Sequence, residues 1–194
     1  LRDPLTAACT DGDTTLYING IDPGFSGDTL VYAALSLAVR ATAVTVQEIF
    51  DYGSYDDAEV TGVSFGFGAR PDHTPILFSP GVLTSMWGAQ VRSLAADLGI
   101  ELDEIRERHE NWVTPDPIDC TMMRVEPGHV GAVKFGVDGL RDGRAVITME
   151  HVNRLTEAAA AHGLDVLAGD PKLVLEDHDG AAHVVLGHSM VTTA

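Results

Sequence analysis

Ile18-Asn19-Gly20-Ile21-Asp22-Pro23-Gly24-Phe25-Ser26-Gly27-Asp28-Thr29 reads as a strand that leaves through a Gly/Pro turn and enters a helix. Upstream, residues 14–18 are β-branched and aromatic, the composition of a short strand. Pro23-Gly24 forces the turn, and Ser26 stands as N-cap for a helix over 27–40. Leu30, Val31, Ala34, Leu35, Leu37 and Ala38 give that helix an apolar stripe to bury against a sheet. A helix entered through glycines leaves backbone N–H groups free to face a ligand. An ordinary strand-to-helix connection, with Asp28 complementing the helix dipole, has the same residues, so both readings stand at this point.

Beyond the turn, residues 43–52 read as a strand, and Ser54 as the cap of a short acidic helix over 54–57. Residues 64–68 and 70–75 form a Gly/Pro-punctuated loop. Ser79-Pro80 opens a helix that Gly99 stops, with Leu83, Trp87, Val91, Leu94 and Leu98 as its buried stripe. Read from the residues alone, Trp87 belongs to the core. Residues 105–113 suit a strand with one solvated face, and 121–125 a shorter one. Residues 130–137 and 145–152 make a hairpin. A three-residue 141–143 loop pairs Val137 with Ile147, Phe135 with Met149 and Val133 with His151, and so gathers the apolar residues on one face. A second hairpin, 173–178 with 181–187, turns at Asp179-Gly180 and sets Glu176 against His183. The pattern indicates an α+β fold: an open, mixed or mostly antiparallel sheet with helices packed on one face.

The 194 residues are enough for a single domain with a substantial core, and the start at Leu1 in a polar stretch suits a part of a longer protein. A net charge of −17, with Lys134 and Lys172 the only lysines, argues against nucleic acid and anionic membranes as partners. Cys9 and Cys120 make no disulfide framework, which suits a reducing cytoplasmic setting, and no apolar run is long enough to span a membrane.

Gly66-Phe67-Gly68 lacks the third glycine of a dinucleotide fingerprint, and no phosphate loop is present. The eight histidines form no metal-binding spacing, so no metal site is expected. Neither cysteine has an activating context, and no GxSxG occurs. His151, on an apolar strand face, could do acid–base work or be a hydrogen-bonded core residue; no catalytic residue is assigned.

Taken in order, Gly20-Ile21-Asp22-Pro23-Gly24-Phe25, the strand ending at Tyr52, Tyr55-Asp56-Asp57-Ala58-Glu59-Val60 with Gly66-Phe67-Gly68 after it, and Glu150-His151-Val152-Asn153-Arg154 resemble the dihydrodipicolinate-reductase-like group. That group includes 2,4-diaminopentanoate dehydrogenase and the native amine dehydrogenases. The resemblance covers the C-terminal, substrate-binding and dimerising domain. The N-terminal Rossmann domain that holds NAD or NADP is outside this sequence, as is the segment where the amine dehydrogenases carry their catalytic carboxylate. It implies that residues 1–194 form one α+β domain that binds no cofactor alone, and that the full-length protein is a homodimer exchanging hydride with an imine or amine carbon. Gly20, Ile21, Pro23, Gly24 and Phe25 would lie near the nicotinamide. Tyr55, Trp87 and His151, with Tyr32, would line a pocket for an amine, imine or carbonyl substrate, and acidic surroundings favour a cationic amine over an anionic diacid. The alternative is a non-catalytic α+β ligand-binding or dimerisation module.

Overall fold

Two hairpins and a lone strand between them build the sheet of the computed structural model, which describes residues 2–17, 20–36, 41–162, 175–178 and 181–188. The lone strand is β1 (Val44–Asp51). One hairpin is β5 (Val130–Arg141) with β6 (Arg144–Arg154), extended on its outer edge by β2 (Glu104–Val113). The other is β7 (Leu175–His178) with β8 (Ala181–His188). Their order is β2-β5-β6-β1-β8-β7, and β1 runs parallel to both β6 and β8, so the six-stranded sheet is mixed. A separate two-stranded piece joins β3 (Ile118–Asp119) to β4 (Arg124–Val125).

Strand alternation gives the sheet two unlike faces. One collects Val44, Val46, Phe135, Val137, Ile147 and Met149, all buried. Helix α4 (Val82–Asp97) lies across it and buries Leu83, Trp87, Val91 and Leu94. Burying each such side chain contributes about 1.5–3 kcal/mol. The other face carries a polar network. Arg108 donates to Asp138 at 2.9 Å and to Glu150 at 2.6 Å, Gln47 donates to Glu150 at 2.5 Å, and Thr148 donates to Asp138 at 3.0 Å. These hydrogen bonds satisfy polar groups that would otherwise be buried unpaired.

The hairpin register differs from the expected one. Val137 pairs with Met149, and Phe135 with His151 rather than Met149, because the turn has two residues, not three. Asp142 (φ 51°) and Gly143 (φ 72°) both take the left-handed conformation that a tight hairpin turn demands. A register shift beside Gly139 and Leu140 then restores the parity, so Phe135, Val137, Ile147 and Met149 still share one face. The second hairpin has the expected register, with Glu176 opposite His183.

Helix boundaries also move. Residues 14–17, which follow helix α1 (Arg2–Asp11), form no strand. Helix α2 (Thr29–Leu35) is capped by Asp28 instead of Ser26, whose hydroxyl donates to Ile21 O. Residues 37–40, the end of the expected helix, lie outside the described ones. Residues 54–57 form no helix: Gly53-Ser54 are a turn closed by Tyr55 N donating to Tyr52 O at 3.0 Å, and the Asp57 side chain caps the helical segment Ala58–Gly62 that leads into α3 (Val63–Phe65). Helix α4 starts two residues after Pro80. Its free amides are met by a distant carboxylate: Glu107 of β2 accepts from Gly81 N at 2.9 Å and from Thr84 N at 2.6 Å. Among the described residues no helix is long and apolar enough to cross a membrane.

Candidate functional site

The turn over residues 20–25 is irregular because Asp22 and Pro23 are extended and Gly24 has φ 151°. Phe25 N donates to Gly20 O at 2.9 Å and Ser26 N to Ile21 O at 3.0 Å, which closes the loop. Helix α4 holds it from below: Gln90 donates to Gly24 O at 3.1 Å, and the Trp87 indole donates to Asp22 Oδ1 at 2.9 Å. Asp22 is thereby turned toward the sheet.

The sheet answers with His151. Phe135, His151 and Glu48 are register partners across β5, β6 and β1, so their side chains stand in one row on the helix-covered face. The imidazole stacks on Phe135 (centroids 4.7 Å apart, planes 9° apart) and leans on Trp87 (4.5 Å). Its Nε2 lies 2.5 Å from Asp22 Oδ2. A carboxylate only accepts, so His151 donates from Nε2. Its Nδ1 is buried and has no hydrogen-bond partner.

Glu48 completes a triad whose ligand atoms all lie within 4.8 Å of one another. Burial, then the charge of Asp22, pushes the Glu48 carboxyl above its ordinary range, and His151 opposes that only in part. The Tyr52 phenol is pushed up as well, by burial first and then by the charges of Glu48, Tyr55 and Asp22. No metal site was expected from sequence, yet these three groups could share a cation. Both Asp22 oxygens are already engaged by N–H donors, Trp87 on one and His151 on the other, which is the bonding of a hydrogen-bonded triad.

Above the row opens a cleft of 780 Å³. Tyr55, Trp87 and His151, all expected at a substrate pocket, line it together with Tyr52, Phe50 and Asn153. Phe50 packs on Tyr52 (4.3 Å), and Tyr55 stands edge-on to both (5.8 and 5.3 Å). An adjoining recess of 290 Å³ runs under Ile21, Phe25 and Leu30. Of the expected cofactor-facing residues, Ile21 borders both spaces and Phe25 the recess, whereas Gly20, Pro23 and Gly24 border neither. Tyr32 is not brought to the cleft. It is partly exposed on α2, and its hydroxyl bonds Asp97 at the far end of α4, where burial first and Asp97 second push the phenol up to about 12.

Sequence reasoning passed over Asp22, Glu48 and Asn153. The signal was present for the last two. Glu48 interrupts Val44, Val46 and Phe50, and Asn153 follows Ile147, Met149 and His151, each a polar side chain on an otherwise inward-facing alternation. Asp22 gave no such signal, because an acidic residue in a turn is unremarked and its reach to His151 exists only in three dimensions.

The 2,4-diaminopentanoate dehydrogenase C-terminal domain family model matches residues 26–183. An amine dehydrogenase of Streptomyces virginiae is 36% identical over 160 residues, which is 82% of this chain and 44% of that protein. The solved structure of an amine dehydrogenase from Mycobacterium smegmatis shares the fold at a TM-score of 0.52 and 12% identity, over 68% of this chain and 39% of that one. The chain thus spans less than half the length of the relatives it matches.

Proposed function

The chain belongs to the 2,4-diaminopentanoate dehydrogenase C-terminal domain family, and on that premise we propose that it is the substrate-binding and dimerising part of an NAD(P)-dependent oxidoreductase acting at an amine or imine carbon. The observation that carries this reading is the aromatic-walled cleft with Asp22, His151 and Trp87 joined at its floor, directly under the exposed turn 20–25. Such a lining, mostly apolar with a few convergent polar groups, suits a small amine, imine or carbonyl compound.

The turn also fits a flat cofactor ring. Ile21 and Phe25 are 70% and 50% exposed, and a side chain at Gly24 would meet no atom within 4 Å. Ile21 and Phe25 are the residues that would face the nicotinamide, which supplies the hydride when bound. The chain's own contribution is orientation and exclusion of water by Trp87, Tyr52 and Tyr55, while the Asp22–His151 pair holds a proton at Nε2. A homodimer working in the cytoplasm completes the proposal.

The test uses the chain together with its nucleotide-binding half. His151→Ala and His151→Gln should lower kcat/KM for amine oxidation at least tenfold and leave cofactor affinity near normal. Unchanged kinetics would return His151 to the core and favour a non-catalytic binding module.

A further inference from the structure

The charge of the cleft is one-sided. Asp22 and Glu48 line it, and among the described residues no arginine or lysine does. Asp22 is already engaged by Trp87 and His151, whereas no described residue donates a hydrogen bond to Glu48. Asn153, on the next row of the sheet and 1% exposed, also lines the cleft, and its Oδ1 has no hydrogen-bond partner. A buried acceptor left without a donor is costly, and a ligand N–H would relieve it. Phe50, Tyr52 and Tyr55 stand beside these two acceptors, and their ring faces attract an ammonium group. A ligand carboxylate would meet two like charges here and no described cation to pair with.

From these observations, and resting on the reading of the cleft as a substrate pocket, we propose that Glu48 and Asn153 are specificity-determining residues that receive a second amino group, one that does not react. The preferred substrates are then short diamines and the matching amino ketones or amino aldehydes, without a carboxylate. The family's name describes a diamino acid, so this chain would differ from it by refusing the acid group.

Three ligands of equal chain length decide the matter: pentane-1,5-diamine, pentylamine and 5-aminopentanoate, titrated calorimetrically into the chain. The diamine should bind about tenfold tighter than pentylamine, the difference one charge-assisted hydrogen bond makes, and 5-aminopentanoate more weakly than either. Glu48→Gln should weaken the diamine about tenfold and so collapse the ratio between diamine and monoamine. The comparison of ligands on the unaltered chain stands whether or not the variant folds. Equal binding of diamine and monoamine, or 5-aminopentanoate binding as tightly as the diamine, would overturn this inference and leave the oxidoreductase reading in place. Binding of none of the three would likewise overturn this inference, whereas the oxidoreductase reading stands or falls on the His151 kinetics. Tight binding of Zn²⁺ alone, lost in Glu48→Gln, would overturn it by assigning the carboxylates to a metal.

Discussion

His151 Nε2 and Asp22 Oδ2 are 2.5 Å apart although 129 positions separate the two residues in the chain. The bond ties β6, the strand of the larger hairpin that pairs with β1, to the irregular turn at residues 20–25, with Trp87 of α4 on the other carboxylate oxygen. Three separate pieces of the fold thus meet on one carboxylate. Asp22→Asn tests the arrangement. The amide oxygen can still accept from Trp87, but its NH₂ then points at His151, and the imidazole must accept at Nε2 and carry its proton on Nδ1. Long-range ¹⁵N–¹H spectra of the imidazole should therefore change from the Nε2–H to the Nδ1–H pattern. Persistence of the Nε2–H pattern in the variant would contradict the assigned bond.

Trp87 offers a readout of the cofactor assignment, because its indole lines the cleft and any ring laid over the turn would change its surroundings. The chain has no glycine-rich phosphate cradle, and the nicotinamide alone is a small part of a dinucleotide's binding surface. NADH in the micromolar range should produce no saturable quenching of tryptophan fluorescence in this chain. Saturable quenching would mean that this chain holds the dinucleotide by itself.

What could be read in advance divides along a physical line. Alternation and helical spacing report which side of an element is buried, so β1, β5, β6 and the stripe of α4 were legible, and so was the face that His151 shares with Phe135. Local signals were weaker guides to boundaries. Ser26 and Ser79 look like caps, yet Asp28 and the remote Glu107 do that work, and no local rule announces a cap 23 residues away. The hairpin register failed for a related reason. Asp142-Gly143 prefers a two-residue turn, the apolar faces demand the other parity, and a bulge reconciles them at no position visible in the sequence. Tyr32 lies away from the cleft, bonded to Asp97, because an aromatic residue near a turn can as easily cover the outside of a helix pair.

The Glu107 cap makes its own prediction. Burial alone would raise this carboxyl, but hydrogen bonds from Thr84 and from the amides of Thr84 and Gly81 bring it below its ordinary range. The ionised form is therefore favoured in the folded chain, and its contribution is present above the ordinary carboxylate range and lost as pH falls through the lowered value. Glu107→Ala should cost about 1 kcal/mol at pH 7 and lower the thermal midpoint by about 2–4 °C. The difference from the parent chain should shrink on acidification. A loss that is the same at every pH would mean that the side chain acts by packing rather than by charge.

Glu48 should behave in the opposite sense. Its charge is disfavoured by burial and by Asp22, and His151 is the one opposing group among the described residues. The folded chain consequently holds the Glu48 proton to higher pH than the unfolded chain does, and stability falls as pH rises from the ordinary carboxylate range through the raised value. Replacing the carboxylate by its neutral isostere removes that loss. Glu48→Gln should raise the thermal midpoint at pH 7, with little effect near pH 4, where both forms are uncharged. A cationic amine would have the reverse effect on the parent chain, since pairing with the carboxylate offsets its desolvation and favours ionisation. Added pentane-1,5-diamine should thus stabilise the parent at pH 7 more than at pH 5, and stabilise Glu48→Gln little at either. A melting series in which Glu48→Gln is less stable than the parent at pH 7 would show that the carboxylate is a structural partner in the fold, and that the acidic floor of the cleft does not await a charged ligand.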